Sequence, residues 1–250
     1  MRFKYLRKGK GPVLVLQHGF LTSATYWHKQ FDAFAQHFDV IALTSPGYAG
    51  NSEQEVIDSI KGFSEHLLRL VDHANVKRFN LIGHSMGGMI AQETALQAGD
   101  RINKLVLYGT GPNGLMPGRF EPVEVSKQRV LDEGPNSTID KTVGSWFLNG
   151  HEAEDYADGV ELAKAASIEA LLGGYTAMEG WSSARRLSQI HNETLIVWGE
   201  ADRAYKRDQV EQLHQGIKGS QLRIIEQCSH NVHLEKPDEF NQVVSDFLLA

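Results

Sequence analysis

The sequence has little of three features that would point to other classes of protein. It has one cysteine, Cys228, among 250 residues, which excludes an internal disulfide and a zinc site built from several cysteines. Its longest aliphatic run, Val13 to Leu16, is far shorter than the roughly 20 apolar residues that span a bilayer. Basic residues are outnumbered by acidic ones, 25 to 31, so the positive excess that nucleic-acid binding needs is missing. We therefore expect no nucleic-acid partner and no membrane span.

The first eight residues are charged but do not continue into an apolar stretch. They lead into the segment Gly-Lys-Gly-Pro, whereas a secretory signal carries an apolar region of about 7 to 15 residues after its charges. Together with the single cysteine, this predicts a cytoplasmic protein.

Hydrophobic residues make up 41% of the chain, which is enough to bury a sizeable core. Short runs rich in Val, Ile and Leu alternate with longer segments of helical spacing, and this alternation predicts an α/β fold with a mostly parallel sheet. One predicted helix covers about 20 residues from Glu53, and others follow Ser85 and Lys236. The predicted strands are 3–6, 13–17, 40–44, 79–82, 105–108, 195–198 and 222–225.

The alternation of strands and helices stops between residues 111 and 184. This segment has helical spacing at 123–131, 139–147 and 156–172 and no convincing strand. It holds twelve acidic and five basic residues. We therefore expect two units, a core of residues 1–110 and 185–250 and a helical cap (lid) of residues 111–184 over the carboxyl edge of the sheet.

A chemically informative motif follows the strand that ends at Ile82. Residues 83–87 fit G-x-S-x-G, the turn in which flanking glycines let a strained serine present its hydroxyl above a sheet. A strand precedes the motif and a helical segment follows it, which is the context that the motif requires. Ser85 is therefore the candidate nucleophile, and the alternative is a serine that caps the following helix.

At this motif and several others, the chain resembles the α/β-hydrolase superfamily, and the resemblance extends over nearly all 250 residues. It implies an eight-stranded, mostly parallel sheet, and the short amino-terminal part suggests that one of the first antiparallel strands is missing or abbreviated here. It also implies a triad in the order nucleophile, acid, base. The G-x-x-D turn at 199–202 matches the acid at Asp202, and the closing segment 228–237 matches the base at His230.

Two nearby residues compete for these roles. Glu200 is the other carboxylate in the acid turn, and His233 is the other histidine of the closing segment. Three-residue spacing between His230 and His233, without an H-E-x-x-H glutamate, is a poor zinc signature, so we expect no metal. We expect no cofactor either.

Acyl transfer to serine also needs donors for the developing oxyanion. The resemblance matches residues 18–20 to the H-G-x loop of the family, which implies an oxyanion hole made by the backbone N–H groups of Phe20 and Met86. The predicted substrate pocket is apolar and lies under the cap. Its candidate residues are Leu21, Trp146, Phe147, Trp181 and His233, with Leu115 and Met116 as further candidates.

These features predict a serine hydrolase that acts on small carboxylic esters or lactones through a Ser-His-Asp triad and an acyl-enzyme. Serine at position 85 differs from the aspartate that haloalkane dehalogenases and epoxide hydrolases carry at this turn. Residues 18–21 also differ from the H-G-x-G-P-G loop usual in hydrolases of C–C bonds.

Three alternatives remain open from the sequence. Two are enzymes of the same fold, a cofactor-free perhydrolase or haloperoxidase and a C–C bond hydrolase. The third belongs to another class, a receptor-like module that binds a ligand and keeps a slow triad. The expected partner is a small molecule in each case, and the sequence does not indicate the oligomeric state.

Overall fold

The computed structural model describes residues 3–49, 51, 55–115 and 121–250. These residues form a seven-stranded sheet in the order β1-β3-β2-β4-β5-β6-β7, in which only β1 is antiparallel to its neighbour. The predicted α/β fold and its mostly parallel sheet are confirmed. The strands are β1 Lys4–Gly9, β2 Val13–Gln17, β3 Asp39–Thr44, β4 Phe79–His84, β5 Ile102–Tyr108, β6 Glu193–Gly199 and β7 Gln221–Ile225.

Helices cover both faces of the sheet and fill the segment between β5 and β6. The first group comprises α1 His28–Phe34, α2 Ile60–His73 and α3 Met86–Ala98. Between β5 and β6 lie α4 Val123–Glu133, α5 Asn136–Gly144, α6 Tyr156–Lys164 and α7 Ile168–Glu179. The remaining helices are α8 Arg207–Gly216, α9 Val232–Glu235 and α10 Pro237–Leu249.

The helix predicted from Glu53 begins later than its apolar pattern suggested. Residues 52–54 lie outside the described residues. Ser59 is extended and its hydroxyl accepts a hydrogen bond from the Gly62 N–H, which fixes the start of α2 at Ile60. Val56 and Ile57 pack instead against Gly173 of α7, where an added Cβ would lie 2.9 Å from each of them. These two apolar residues therefore belong to a loop that packs on α7, and they are not part of a helix.

The helix predicted over 156–172 is two helices. Ser167 stands between α6 and α7 in an extended conformation, and its hydroxyl accepts from the Ala170 N–H at 3.1 Å. Its own N–H donates to the carbonyl of Gly47, in the loop after β3, at 2.9 Å. The break therefore lets α7 begin against the loop after β3, and helical periodicity does not reveal this contact.

The sheet separates two apolar layers, because alternate residues of each buried strand point to opposite faces. Val15 packs in the layer that contains α2 and α3, whereas Leu14 and Leu16 pack in the layer that contains α1 and α10. Since β2 and β4 to β7 are parallel, their carboxyl ends meet at one edge. We call this edge, with the loops that leave it, the sheet edge.

We call residues 111–184 the inserted segment. Its two ends are joined by backbone hydrogen bonds, from Gly114 to the Trp181 carbonyl at 3.0 Å and from Ser183 to the Pro112 carbonyl at 2.9 Å. An isolated β-bridge pairs Asn113 with Ser182, and the described part of the segment holds no strand. A search of the described residues found no helix with the length and apolar character of a membrane span.

Candidate active site

Ser85 stands on a sharp turn between β4 and α3. Its φ is +56° and its ψ is −120°, a conformation that costs an L-residue on the order of 1–3 kcal/mol and persists only where the surroundings hold it. The Ser85 N–H donates to the Tyr108 carbonyl at 2.9 Å, and the Thr110 hydroxyl donates to the Ser85 carbonyl at 2.8 Å. Strand β5 and the loop that follows it therefore hold both ends of the strained residue.

The glycines of the motif are required by close backbone approach. A Cβ at Gly83 would lie 2.2 Å from the carbonyl oxygen of Gly87. A Cβ at Gly87 would lie 2.4 Å from the carbonyl oxygen of Gln17, at the end of β2. Such contacts are sterically impossible, so this turn can form only with glycine at both positions.

The structure brings Asp202 and His230 together at the sheet edge. Nδ1 of His230 lies 2.9 Å from Oδ2 of Asp202, and the two side chains are 2% and 0% exposed. The other oxygen, Oδ1, accepts from the N–H groups of Ala204 at 2.7 Å and Tyr205 at 3.1 Å. The carboxylate is thus fixed by three donors, and it can hold the imidazole in the tautomer that carries its proton on Nδ1.

Ser85 lies beside this pair without a hydrogen bond to it. No bond between Ser85 Oγ and His230 occurs among the described residues. Catalytic hydrogen bonds are often long before substrate binds. Gly109 lets the backbone after β5, which holds Ser85, approach His230 closely. Its φ is +51°, and an added Cβ would lie 3.2 Å from His230 Nδ1.

The loop after β2 is held by a buried histidine. His18 accepts from the Ser45 N–H through Nε2 at 2.9 Å, so its proton is on Nδ1, which donates to the Gly19 carbonyl at 2.7 Å. Burial lowers the pKa of His18 to about 4, which keeps the ring neutral. Because the Gly19 carbonyl and the Phe20 N–H belong to one planar peptide, the imidazole also fixes the direction of that N–H.

Both predicted oxyanion donors belong to backbone that lies against the serine. A Cβ at Gly19 would be 3.1 Å from the Ser85 Cβ. Neither the Phe20 N–H nor the Met86 N–H is a donor in any hydrogen bond of the described residues. Leu21 has a φ of +60° and is fully buried, which marks a second strained residue beside Ser85.

The aromatic candidates for the pocket are all buried but lie in different places. The Trp146 ring centroid is 6.4 Å from that of His230, and Phe147 packs beside Gly159 of α6. The Trp181 indole N–H donates to Glu93 of α3 at 3.0 Å. Phe20 packs on Tyr175 of α7, with ring centroids 4.8 Å apart. Met116 lies outside the described residues, and Leu115 is 57% exposed.

His233, the other histidine of the closing segment, is fully buried. Its Nδ1 is 2.9 Å from the Tyr108 hydroxyl, and its Nε2 is 3.2 Å from the Tyr26 carbonyl. The same Tyr108 hydroxyl lies 2.8 Å from the carbonyl oxygen of His230. Burial holds the pKa of His233 well below its usual value. These contacts suit a neutral histidine that positions the backbone of His230.

The competing carboxylate, Glu200, is exposed, and its N–H donates to the Ile225 carbonyl at 2.9 Å. A carboxylate that the sequence analysis missed is Glu235, which accepts from the Ser229 N–H and the Leu148 N–H, each at 2.7 Å. Burial raises the pKa of Glu235. This side chain therefore links the His230 loop to the inserted segment, and only its position five residues after His230 signalled it.

Tyr205 and Gly109 are the other neighbours of His230 that sequence reasoning missed. The Tyr205 ring stacks on the imidazole with centroids 5.7 Å apart and planes 20° apart. Its position three residues after Asp202 was the available signal. Among the described residues, no group of three or more His, Cys, Asp or Glu side chains is arranged to hold a metal ion.

Comparison with known proteins agrees with this architecture. Residues 12–237 match the family model described as the alpha/beta hydrolase fold. The chain is 27% identical to the 2-hydroxy-6-oxo-6-phenylhexa-2,4-dienoate hydrolase of Comamonas testosteroni, over 98% of this chain and 90% of that protein. It is 28% identical to the 2-hydroxy-6-oxononadienedioate/2-hydroxy-6-oxononatrienedioate hydrolase 1 of Pseudomonas putida, over 96% and 89%.

Among solved structures, the chain is similar to the enol-lactonase from Burkholderia xenovorans LB400. The TM-score is 0.92 at 23% identity, over 99% of this chain and 96% of that one. The predictions of fold and of a hydrolase enzyme are confirmed at this level. Because the family model matches residues 12–237, the chain belongs to the alpha/beta hydrolase fold family.

Proposed function

We propose that this protein is a serine hydrolase of small, uncharged carboxylic esters or lactones, with Ser85 as nucleophile, His230 as base and Asp202 as acid. The observation that carries the proposal is the 2.9 Å contact between His230 Nδ1 and Asp202 Oδ2, buried at the sheet edge beside a strained serine. A serine hydroxyl reacts at neutral pH only when a base accepts its proton, and a carboxylate of this kind orients that base.

In the proposed mechanism, Ser85 Oγ attacks the substrate carbonyl carbon while Nε2 of His230 accepts the hydroxyl proton. The carbonyl oxygen becomes an oxyanion that accepts from the N–H groups of Phe20 and Met86. The bond to the leaving oxygen then breaks, and that oxygen takes the proton from His230. Water repeats the sequence on the acyl-enzyme and releases the acid, which returns Ser85 to its starting state.

The preference for uncharged substrates is supported by the groups around the triad. The side chains that form ring contacts or hydrogen bonds with Ser85 and His230, apart from Asp202, are aromatic or carry a hydroxyl group: His84, Trp146, Tyr205 and Thr110. The inserted segment adds twelve acidic and only five basic residues. A substrate carboxylate would therefore lack a partner, and burying it without one is costly.

Hydrolysis of a C–C bond is the second candidate, and the curated relatives favour it. The substrate in the name of the Comamonas testosteroni relative has a ketone and a carboxylate but no ester. Its hydrolysis therefore requires cleavage of a carbon-carbon bond. The loop of residues 18–21 lacks the pattern usual in such hydrolases, so we rank this reaction second.

We further propose that the inserted segment forms a cap, residues 111–184, over a core of residues 1–110 and 185–250. A pocket between them would include Leu21, Trp146, Phe147 and Trp181, and the contact of Phe20 with α7 supports this position. A cytoplasmic location agrees with the single buried cysteine, Cys228.

A substrate panel tests these proposals. Wild type and Ser85→Ala would be assayed on p-nitrophenyl esters of increasing acyl length, on simple lactones and on 2-hydroxy-6-oxo-6-phenylhexa-2,4-dienoate. We expect turnover of short esters or lactones that Ser85→Ala loses. Turnover of the dienoate alone would replace the first candidate with the second. Tight binding of a ligand without turnover would indicate the receptor-like module.

A further inference from the structure

One residue outside the triad contacts all three of its members, through its backbone and its side chain. The Tyr205 N–H donates to Asp202 Oδ1 at 3.1 Å, and its ring stacks on the imidazole of His230. Its hydroxyl lies next to the side chains of Ser85 and Thr110, whose hydrogen bonding lowers the pKa of the phenol against the larger, upward effect of burial. A residue that only filled space would not need a polar group at this end.

The Tyr205 hydroxyl is a buried donor that has no well-formed hydrogen bond. The residue is 1% exposed, and its oxygen makes no bond of normal distance and angle, although Ser85 and Thr110 lie close to it. Thr110 already donates its own proton to the Ser85 carbonyl at 2.8 Å. Leaving a buried hydroxyl unsatisfied costs free energy. Its position between Ser85 and Thr110 offers a functional reason for that cost.

The ring of Tyr205 cannot easily leave this position. The Trp198 indole N–H donates to the Tyr205 carbonyl at 2.9 Å, which fixes the backbone. On the ring itself, an added Cβ at Gly111 would lie 3.2 Å from Cδ1. The phenol is thus held by strand β6 and by the loop after β5, the same parts of the fold that carry Asp202 and support Ser85.

We propose that Tyr205 is a positioning residue of the triad, whose ring confines the His230 imidazole and whose hydroxyl donates a hydrogen bond to Ser85 Oγ. This inference rests on the proposed function. As the proton of Ser85 moves to Nε2 of His230, negative charge grows on Oγ, and a donor at Oγ stabilises it. The π face of the ring, 5.7 Å from the imidazole centroid, also favours the imidazolium that forms.

The phenol acts as a donor and not as a base. Burial raises the pKa of Tyr205, so the hydroxyl keeps its proton throughout the working pH range. Two consequences follow for its removal. Loss of the hydroxyl alone should slow the chemical step, and loss of the ring should slow it further, while substrate binding stays nearly unchanged in both cases.

The test compares Tyr205→Phe, which keeps the ring, with Tyr205→Leu, which removes it. Tyr156→Phe is the matched control, since Tyr156 lies in α6 and its ring contacts His151, away from the triad. For p-nitrophenyl butyrate we expect kcat to fall about tenfold in Tyr205→Phe and about a hundredfold in Tyr205→Leu, with KM changed less than about twofold. Tyr156→Phe should match wild type.

Two results would overturn the proposal. Unchanged kcat in Tyr205→Phe and Tyr205→Leu would leave the residue a packing role, and a rise in KM at constant kcat would assign it to the substrate pocket. If Tyr205→Leu does not fold, Tyr205→Phe alone decides.

The rate of Ser85 labelling by a fluorophosphonate, measured on the same variants, separates this inference from the proposed function. Equal labelling of wild type and Ser85→Ala would refute the triad itself. Selective labelling of Ser85 at the same rate in wild type and both Tyr205 variants would refute only the role of Tyr205.

Discussion

The sheet edge and the inserted segment are held in place by different kinds of interaction. At the sheet edge, close backbone packing decides positions, as at Gly83 and Gly87, and the strained Ser85 is fixed by hydrogen bonds from its neighbours. The inserted segment is attached in part through side-chain contacts, such as the ion pair of Lys29 with Asp155 at 2.8 Å and the hydrogen bond from the Trp181 indole N–H to Glu93 at 3.0 Å.

Under the proposed function, this difference separates the chemical step from substrate recognition. Backbone packing tolerates no substitution at the positions that aim Ser85, so one reaction geometry is preserved. Ion pairs between side chains can be exchanged at a modest cost in free energy. If the segment is the proposed cap, its side chains can therefore change without moving the proposed triad. Substitutions in each region test this division.

The largest effect is expected from the triad carboxylate. Asp202→Asn should lower kcat by about 10⁴-fold, because the amide favours the wrong tautomer of His230. Glu200→Gln, in the same turn but exposed, is the control and should keep wild-type activity. Ester hydrolysis measured on both variants checks this, and the opposite pattern would make Glu200 the acid.

Acid should destabilise the sheet edge. The native pKa of His18, about 4, lies below the value of about 6.5 of an unfolded histidine, so the unfolded chain binds more protons between these values. The contribution of His18 to the free energy of unfolding should be fully present above pH 6.5. It should fall by about 3 kcal/mol as the pH drops from 6.5 to 4. Urea unfolding of wild type and His18→Gln at several pH values measures this loss. An equal pH dependence of the free energy of unfolding in the two proteins would contradict the prediction.

A glycine in each region gives a matched pair. Gly109→Ala adds a Cβ at 3.2 Å from His230 Nδ1, and we expect kcat/KM to fall about a hundredfold as the imidazole moves. Gly134, between α4 and α5, also has a positive φ, +85°, but nothing lies within 4 Å of its added Cβ. Gly134→Ala should therefore cost stability and leave the kinetics unchanged. Equal activity in the two variants would argue against tight packing at His230.

The smallest effect is expected from the ion pair that joins α6 to the core. Asp155→Asn removes the charged partner of Lys29. We expect the free energy needed to open the inserted segment locally to fall by about 1 kcal/mol. Amide hydrogen exchange in α6 should then quicken about fivefold, with kcat for a small ester unchanged. Asp32→Asn, which breaks an exposed pair with Lys8, is the control. If Asp155→Asn quickened amide hydrogen exchange at the sheet edge and not in α6, the proposed independence of the two regions would be contradicted.

The sequence predicted most of the sheet edge because its determinants are local. The turn at 83–87 needs glycines at fixed spacing around Ser85, and buried strands show as short aliphatic runs. The Asp202 and His230 positions follow strands β6 and β7 directly. Each of these signals lies within about ten residues of the chain.

Contacts between distant residues were not predictable in the same way. Lys29 and Asp155 are 126 residues apart, and nothing in either neighbourhood indicates the other. The break at Ser167 depends on a carbonyl of Gly47 in another part of the fold. Tyr205 is three residues from the predicted Asp202 in sequence, but its contacts with Ser85 and His230 exist only after β4, β6 and β7 have aligned.

The most direct test of the central claim is the reaction of wild type and Ser85→Ala with a fluorophosphonate probe, followed by intact mass. An activated serine attacks such a probe, so wild type should gain one adduct per chain and Ser85→Ala none. The variant should fold normally, since alanine experiences the same backbone strain as serine at φ +56°. A folded wild type that gains no adduct, or an equal adduct on Ser85→Ala, would contradict the account.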